Sequence, residues 1–184
     1  MTQLQLIQHI SAFEHIKVVK LRSQLKEQTF SLRELVDLTF YADQEIAQRT
    51  SKILAFIMFK FPENYSEDIC YLVEQVAGVK CSSCKKHYAK ILMHITSPDV
   101  PKEVRNAVKE INFEHIVELC FGWMKDPKML TSVRASTAET LFNMRHRYPW
   151  IAEALSRELE AMMPTATPLL QAKGNYILSF LHCE

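Results

Sequence analysis

Glycine is scarce: the 184 residues contain only Gly78, Gly122 and Gly174. The turns of a sheet protein draw on residues that tolerate positive φ, so this scarcity excludes an all-β fold. Charge of one sign is also lacking, because 22 Lys and Arg stand against 21 Asp and Glu for a net charge of +1. A near-neutral chain releases few counterions from a phosphate backbone, and specific nucleic-acid binding is not expected. No segment approaches the roughly 18 to 20 apolar residues that span a bilayer, and the start of the sequence has no basic stretch leading into an unbroken apolar run. A cytoplasmic location without membrane contact is the expectation. The five cysteines (Cys70, Cys81, Cys84, Cys120, Cys183) are an odd set. In a chain read as intracellular they are expected to be reduced thiols rather than a disulfide framework.

What is present is helical. Hydrophobic residues make up 48% and charged residues 23%, a composition that supports one domain over 1–184 with a continuous core. Seven prolines punctuate the chain, and the segments between them carry the three-and-four spacing of a buried helix face. Leu130, Val133, Thr137, Leu141 and Met144 form one such stripe; Ile69, Leu72, Val73 and Val76 form another. Ser31-Leu32-Arg33-Glu34 has the spacing of a capping box, and Asp126-Pro127 and Thr167-Pro168 place a capping side chain before a proline. The pattern predicts helices over 4–28, 31–41, 44–60, 65–77, 82–95, 102–111, 113–124, 128–147, 150–162 and 168–182.

A repeat underlies these helices. Ser51 to Phe56 aligns with Ala89 to His94 at an offset of 38, and Ile69, Val73 and Val76 align with Val104, Val108 and Ile111 at an offset of 35. Both offsets fall in the range of helical repeats. The tetrapeptide Phe13-Glu14-His15-Ile16 recurs as Phe113-Glu114-His115-Ile116, a match with little weight on its own.

Ser97-Pro98-Asp99-Val100-Pro101-Lys102-Glu103-Val104-Arg105 resembles the inter-helix turn of a HEAT repeat. Asp126-Pro127 followed by Val133-Arg134-Ala135 repeats the likeness with two extra residues. The resemblance covers the C-terminal half by motif and the rest by helix rhythm, and the last pair departs from it with Gln171-Ala172-Lys173. It implies a right-handed α-α superhelix of about five stacked hairpins whose concave face grips another protein or a peptide. The aspartates would cap second helices and the arginines would reach acceptors in neighbouring turns.

Arg105, Arg134 and Lys173 are candidate partner-binding residues along the second helices, with Lys102 and Lys109, and further out Arg145 and Arg147, widening the cationic surface. The competing use of Arg105 and Arg134 is to bond neighbouring aspartates and hold repeats in register. A second candidate is Cys81-Ser82-Ser83-Cys84 with His87. If the chain turns near Gly78, Cys70 and His87 lie at similar heights and could join Cys81 and Cys84 around zinc. Against that, Cys70 sits in a core-like position beside Ile69 and Val73, and no second Cys-x-x-Cys completes a four-ligand pattern. A thioredoxin-type role is weaker, since that motif follows a strand in a βαβ unit.

The seven histidines form no recognisable catalytic set: there is no Gly-x-Ser-x-Gly, phosphate-binding glycine loop or His-Glu-x-x-His. Trp123 and Trp150, beside Phe121 and Ile151, read as core packing. The expectation is therefore a non-enzymatic protein-interaction module without cofactor or metal. The alternatives are a nucleic-acid binder resembling the HEAT-like DNA glycosylases, whose strongly basic groove this chain lacks, and a zinc-binding module.

Overall fold

The computed structural model describes residues 31–183 together with Gln5, Ile7, Gln8 and Ile10. Most of the helix predicted over 4–28, with Phe13 to Ile16, lies outside the described residues.

Local rules set the helix starts. The Ser31 hydroxyl accepts from the Glu34 amide while the Glu34 carboxylate accepts from the Ser31 amide, completing the capping box that opens α1, Leu32–Leu38. Asp43 accepts from the amides of Glu45 and Ile46 at the start of α2, Gln44–Lys60. Such a cap stabilises a helix by about 1 kcal/mol. A 3-10 segment, Pro62–Asp68, leads to α3, Ile69–Gln75, and a second, Val76–Gly78, leaves it. There follow α4, Ser82–Ile95; α5, Lys102–Glu110; α6, Glu114–Lys125; α7, Thr131–Met144; α8, Trp150–Met162; and α9, Pro168–Leu181. No strand occurs among the described residues. No helix among them is long and apolar enough to cross a membrane.

Four helices form a parallel row in the order α2, α4, α7, α9. Gln48 near the start of α2 meets Cys81 at the start of α4, and Phe59 near its end stacks on His94 near the end of α4 at 4.4 Å. Asn143, late in α7, donates to Met93 O and Thr96 Oγ1 at the end of α4. Thr131 meets Thr167 where α7 and α9 begin, and Lys173 pairs with Glu139 further along at 2.7 Å. α1 and α3 are likewise tied across by Arg33 to Asp68 and by Tyr71 to Asp37. α6 packs on α7, and Lys125 of α6 reaches Glu158 of α8 at 3.6 Å.

The core follows the predicted stripes in part. Ile69, Leu72, Val73 and Val76 are all fully buried; burying a side chain of that size contributes about 1.5–3 kcal/mol. α7 is buried nearly all round rather than on one face, because α4, α6, α8 and α9 surround it. It accommodates them with small side chains, Ala135, Ser136, Thr137, Ala138 and Thr140. Thr137 and Thr140 satisfy their hydroxyls on the carbonyls of Val133 and Ser136, one turn back, so these polar groups are buried without loss. Leu130, predicted in the buried stripe, precedes the helix at its cap position and is exposed. At Gly174 an added Cβ would come within 2.6 Å of the sulfur and methyl of Met163, so the flexible end of that side chain packs directly on the α9 backbone.

The predicted proline-linked caps are only partly realised. Asp126 closes α6 and accepts from the Lys128 amide within its own turn, while α7 begins four residues after Pro127 without a side-chain cap. Asp99 likewise does not cap α5, whose cap position is Pro101. Asp126 turns the chain before the helix instead of starting it, and Asp99 enters its turn through its amide, which donates to the Ser97 hydroxyl. Thr167 occupies the cap position of α9 but spends its hydroxyl on Thr131.

Candidate interaction groove

The predicted cations separate into two groups. Arg134 donates from Nε to Met124 O at 2.8 Å, satisfying a carbonyl at the end of α6. Lys173 pairs with Glu139. Both fasten neighbouring helices. Arg105 donates to Pro98 O at 3.3 Å across the turn between α4 and α5. Both arginines thus bond backbone carbonyls where aspartates were considered. Lys102 and Lys109 are exposed on α5.

Arg105 and Lys109 line a cleft of about 440 Å³ where the ends of α4, α5, α7 and α9 converge. Its floor is aromatic. Phe142 of α7 and Phe180 of α9 lie 5.9 Å apart, and Tyr176 lies 5.0 Å from Phe180. Tyr176 and Phe180 are 55% and 45% exposed, an unusual cost for two large rings on one helix face. The Arg145 guanidinium covers the Phe142 ring at 3.9 Å. Arg147 donates to Val108 O, Lys109 O and Ile111 O, closing the last turn of α5. Among the described residues the lining holds four cations, Arg105, Lys109, Arg145 and Arg147, with His146 and no carboxylate.

Sequence reasoning missed Phe142, Tyr176 and Phe180. The available signal was that Tyr176 and Phe180, one turn apart on α9, fall off the buried stripe of Leu170, Gly174, Ile177 and Leu178. Trp150, expected in the core, is half exposed and stacks on Phe121 at 5.8 Å. Trp123 is buried as expected.

The cysteine cluster does not assemble as four ligands: no three His, Cys, Asp or Glu side chains among the described residues gather to hold a metal. Cys70 is exposed and donates to Glu74, not core-like as its neighbours suggested, because it falls off the buried stripe of α3. Cys84 is buried on α4, and burial pushes its thiol up to about 11. Cys81 occupies the cap position of the same helix, half-exposed and without a side-chain cap bond. Burial alone would raise its thiol, but the Cys84 amide and thiol, the Ser83 amide and the Gln48 side chain outweigh it and hold it below its ordinary value. His87 is brought down to about 4 by burial and by Lys86, Lys90 and Lys52. His115 is exposed.

Compared with known proteins, the chain matches no family model, no curated protein and no solved structure.

Proposed function

We propose that this chain is a non-enzymatic interaction module, built as a HEAT-like right-handed superhelix of stacked hairpins, that holds an acidic segment of a partner protein in the groove between α5, α7 and α9. The observation that carries this reading is the joining of three partly exposed aromatic rings to four cations with no carboxylate in the lining. Aromatic rings give a docked segment apolar anchorage at low entropic cost. The cations select against basic segments and favour carboxylates. Links separated by 33 to 36 residues between parallel neighbours support the helical-repeat reading, since each repeat then contacts only those beside it.

A displayed peptide library selected on the whole chain tests the proposal. Enrichment of peptides that pair Asp or Glu with an apolar residue is expected. Their binding should weaken with salt and fall about tenfold on Lys109→Glu and on Phe180→Ala. Lys128→Glu, outside the groove lining, should leave it unchanged. Selected peptides without acidic bias, or duplex DNA binding more tightly than any peptide, would overturn the reading.

A further inference from the structure

A second opening lies at the other edge of the helix row. A cleft of about 510 Å³ is bounded by Phe40, Tyr41, Gln44, Lys80 and Cys81 among others. Phe40 and Tyr41 flank it and are each 41% exposed. Lys80 is the one charged side chain among the described lining residues. The only sulfur in that lining belongs to Cys81.

Behind it, the pair is arranged asymmetrically. Cys81 is the cap residue of α4 and Cys84 lies three residues on, in the first turn. Three residues apart across the first turn, the two side chains stand as neighbours on the helix surface. Gln48 of α2 reaches the Cys81 sulfur at 3.9 Å, and Ser51 of the same helix contacts the Cys84 thiol. One sulfur thus faces the cleft while the other is fully buried behind it. The remaining cysteines do not share this setting: Cys120 is completely buried, and Cys70 and Cys183 are exposed without a sulfur partner among the described residues.

We propose that Cys81 and Cys84 form a thiol–disulfide exchange site, with Cys81 the attacking sulfur and Cys84 the resolving one, for disulfides of peptide-like thiols that carry carboxylates. Cys81 loses its proton to solvent, and its sulfur attacks one sulfur of the incoming disulfide. That S–S bond breaks, and the first thiolate leaves and takes up a proton. Cys84 then loses its proton, and its sulfur attacks the Cys81 sulfur, expelling the second thiolate, which is protonated in turn. The two cysteines lose two electrons and the incoming disulfide gains them, emerging as two thiols. The cleft admits the substrate, Lys80 faces its carboxylates, and the burial of Cys84 confines the first attack to Cys81. This site is independent of the aromatic groove and of the role proposed for it.

Glutathione disulfide is the probe, and peptide mass mapping is the readout on the whole chain. The unaltered protein should accumulate a Cys81–Cys84 disulfide. Cys84→Ser should stop at a glutathione adduct on Cys81, and Cys81→Ser should leave Cys84 unmodified. In the unaltered chain, loss of free Cys81 should outpace adduct formation at the exposed Cys70 and Cys183 by about tenfold, a comparison that stands even if a serine variant fails to fold. Equal or faster reaction at Cys70 and Cys183, or absence of the Cys81–Cys84 disulfide, would overturn the proposal.

Discussion

Two kinds of junction within the same row of helices are built on different spacings. Where α2 meets α4, and where α7 meets α9, the linked residues stand 33 to 36 apart. Where α4 meets α7, they stand 47 and 50 apart. The excess is about the length of α5 with its connection, and α5 packs on α3 and on the 62–68 segment instead of joining the row. The row thus takes in an extra helix without being interrupted, and the insertion is fastened. Arg147 and Tyr148 do this: Arg147 holds three carbonyls at the end of α5, and the Tyr148 hydroxyl accepts from the Phe113 amide. The aromatic groove opens where this irregular junction adjoins the regular α7/α9 one, at the C-terminal ends of α4, α7 and α9.

The most severe way to break the comparison is Val133→Asp. Val133 is fully buried on α7, the helix shared by the irregular and the regular junction. An unpaired carboxylate there should cost about 3–5 kcal/mol. Thermal denaturation reads this directly, and an unchanged melting temperature would place Val133 outside the shared core. Next, Arg147→Ala should free the inserted helix, at about 1.5–3 kcal/mol for charge-assisted bonds to carbonyls. Hydrogen exchange should accelerate over 102–111 while the amides of α2 stay protected; a uniform increase would mean that α5 is not separately fastened.

The regular α2/α4 junction is probed by acid. Folding lowers the His87 pKa from 6.5 to about 4, so between those values the unfolded chain binds a proton that the folded chain refuses. Stability from this group is complete above pH 6.5 and is lost as the pH falls toward 4, by about 1–2 kcal/mol after discounting for its partial exposure. His87→Gln should flatten that slope in denaturant titrations, and an unaltered slope would assign it to other groups. The smallest effect is expected from Lys173→Met at the α7/α9 junction. Its ion pair with Glu139 is about one-third exposed and contributes about 0.5–1 kcal/mol. A loss above about 2 kcal/mol would show that regular junctions also depend on polar fasteners.

Much of the helix order was legible in the sequence because prolines and apolar stripes are local signals. The buried Ile69, Leu72, Val73 and Val76 and the Ser31 capping box lie where spacing puts them. α7 was harder: Ser136 and Thr140 lie off the predicted stripe yet are buried, the Thr140 hydroxyl bonding the Ser136 carbonyl within the helix. The candidate site was legible only in fragments. Arg105 and Lys109 line the groove, but Phe142, Tyr176 and Phe180 come together through tertiary packing that no spacing along one helix reveals. Nor does any single-helix pattern tell that Arg134 and Lys173 are engaged by Met124 O and Glu139.

The parallel run of α2, α4, α7 and α9 has an electrostatic consequence. Each helix carries a macrodipole worth roughly half a charge at either end, and in a parallel row these add side by side rather than cancel. One edge gathers four C-terminal ends, where Arg145 donates to the Phe142 carbonyl of α7 and the groove opens. The opposite edge gathers four N-terminal ends, where the Asp43 carboxylate caps α2 and Cys81 occupies the cap position of α4. The row, in a chain whose formal charge nearly vanishes, is therefore polarised end to end, with α6, whose terminal Met124 O meets Arg134 at the start of α7, running against it. Its two edges favour groups of opposite sign, cations beside the aromatic rings and anions at the end where Asp43 stands.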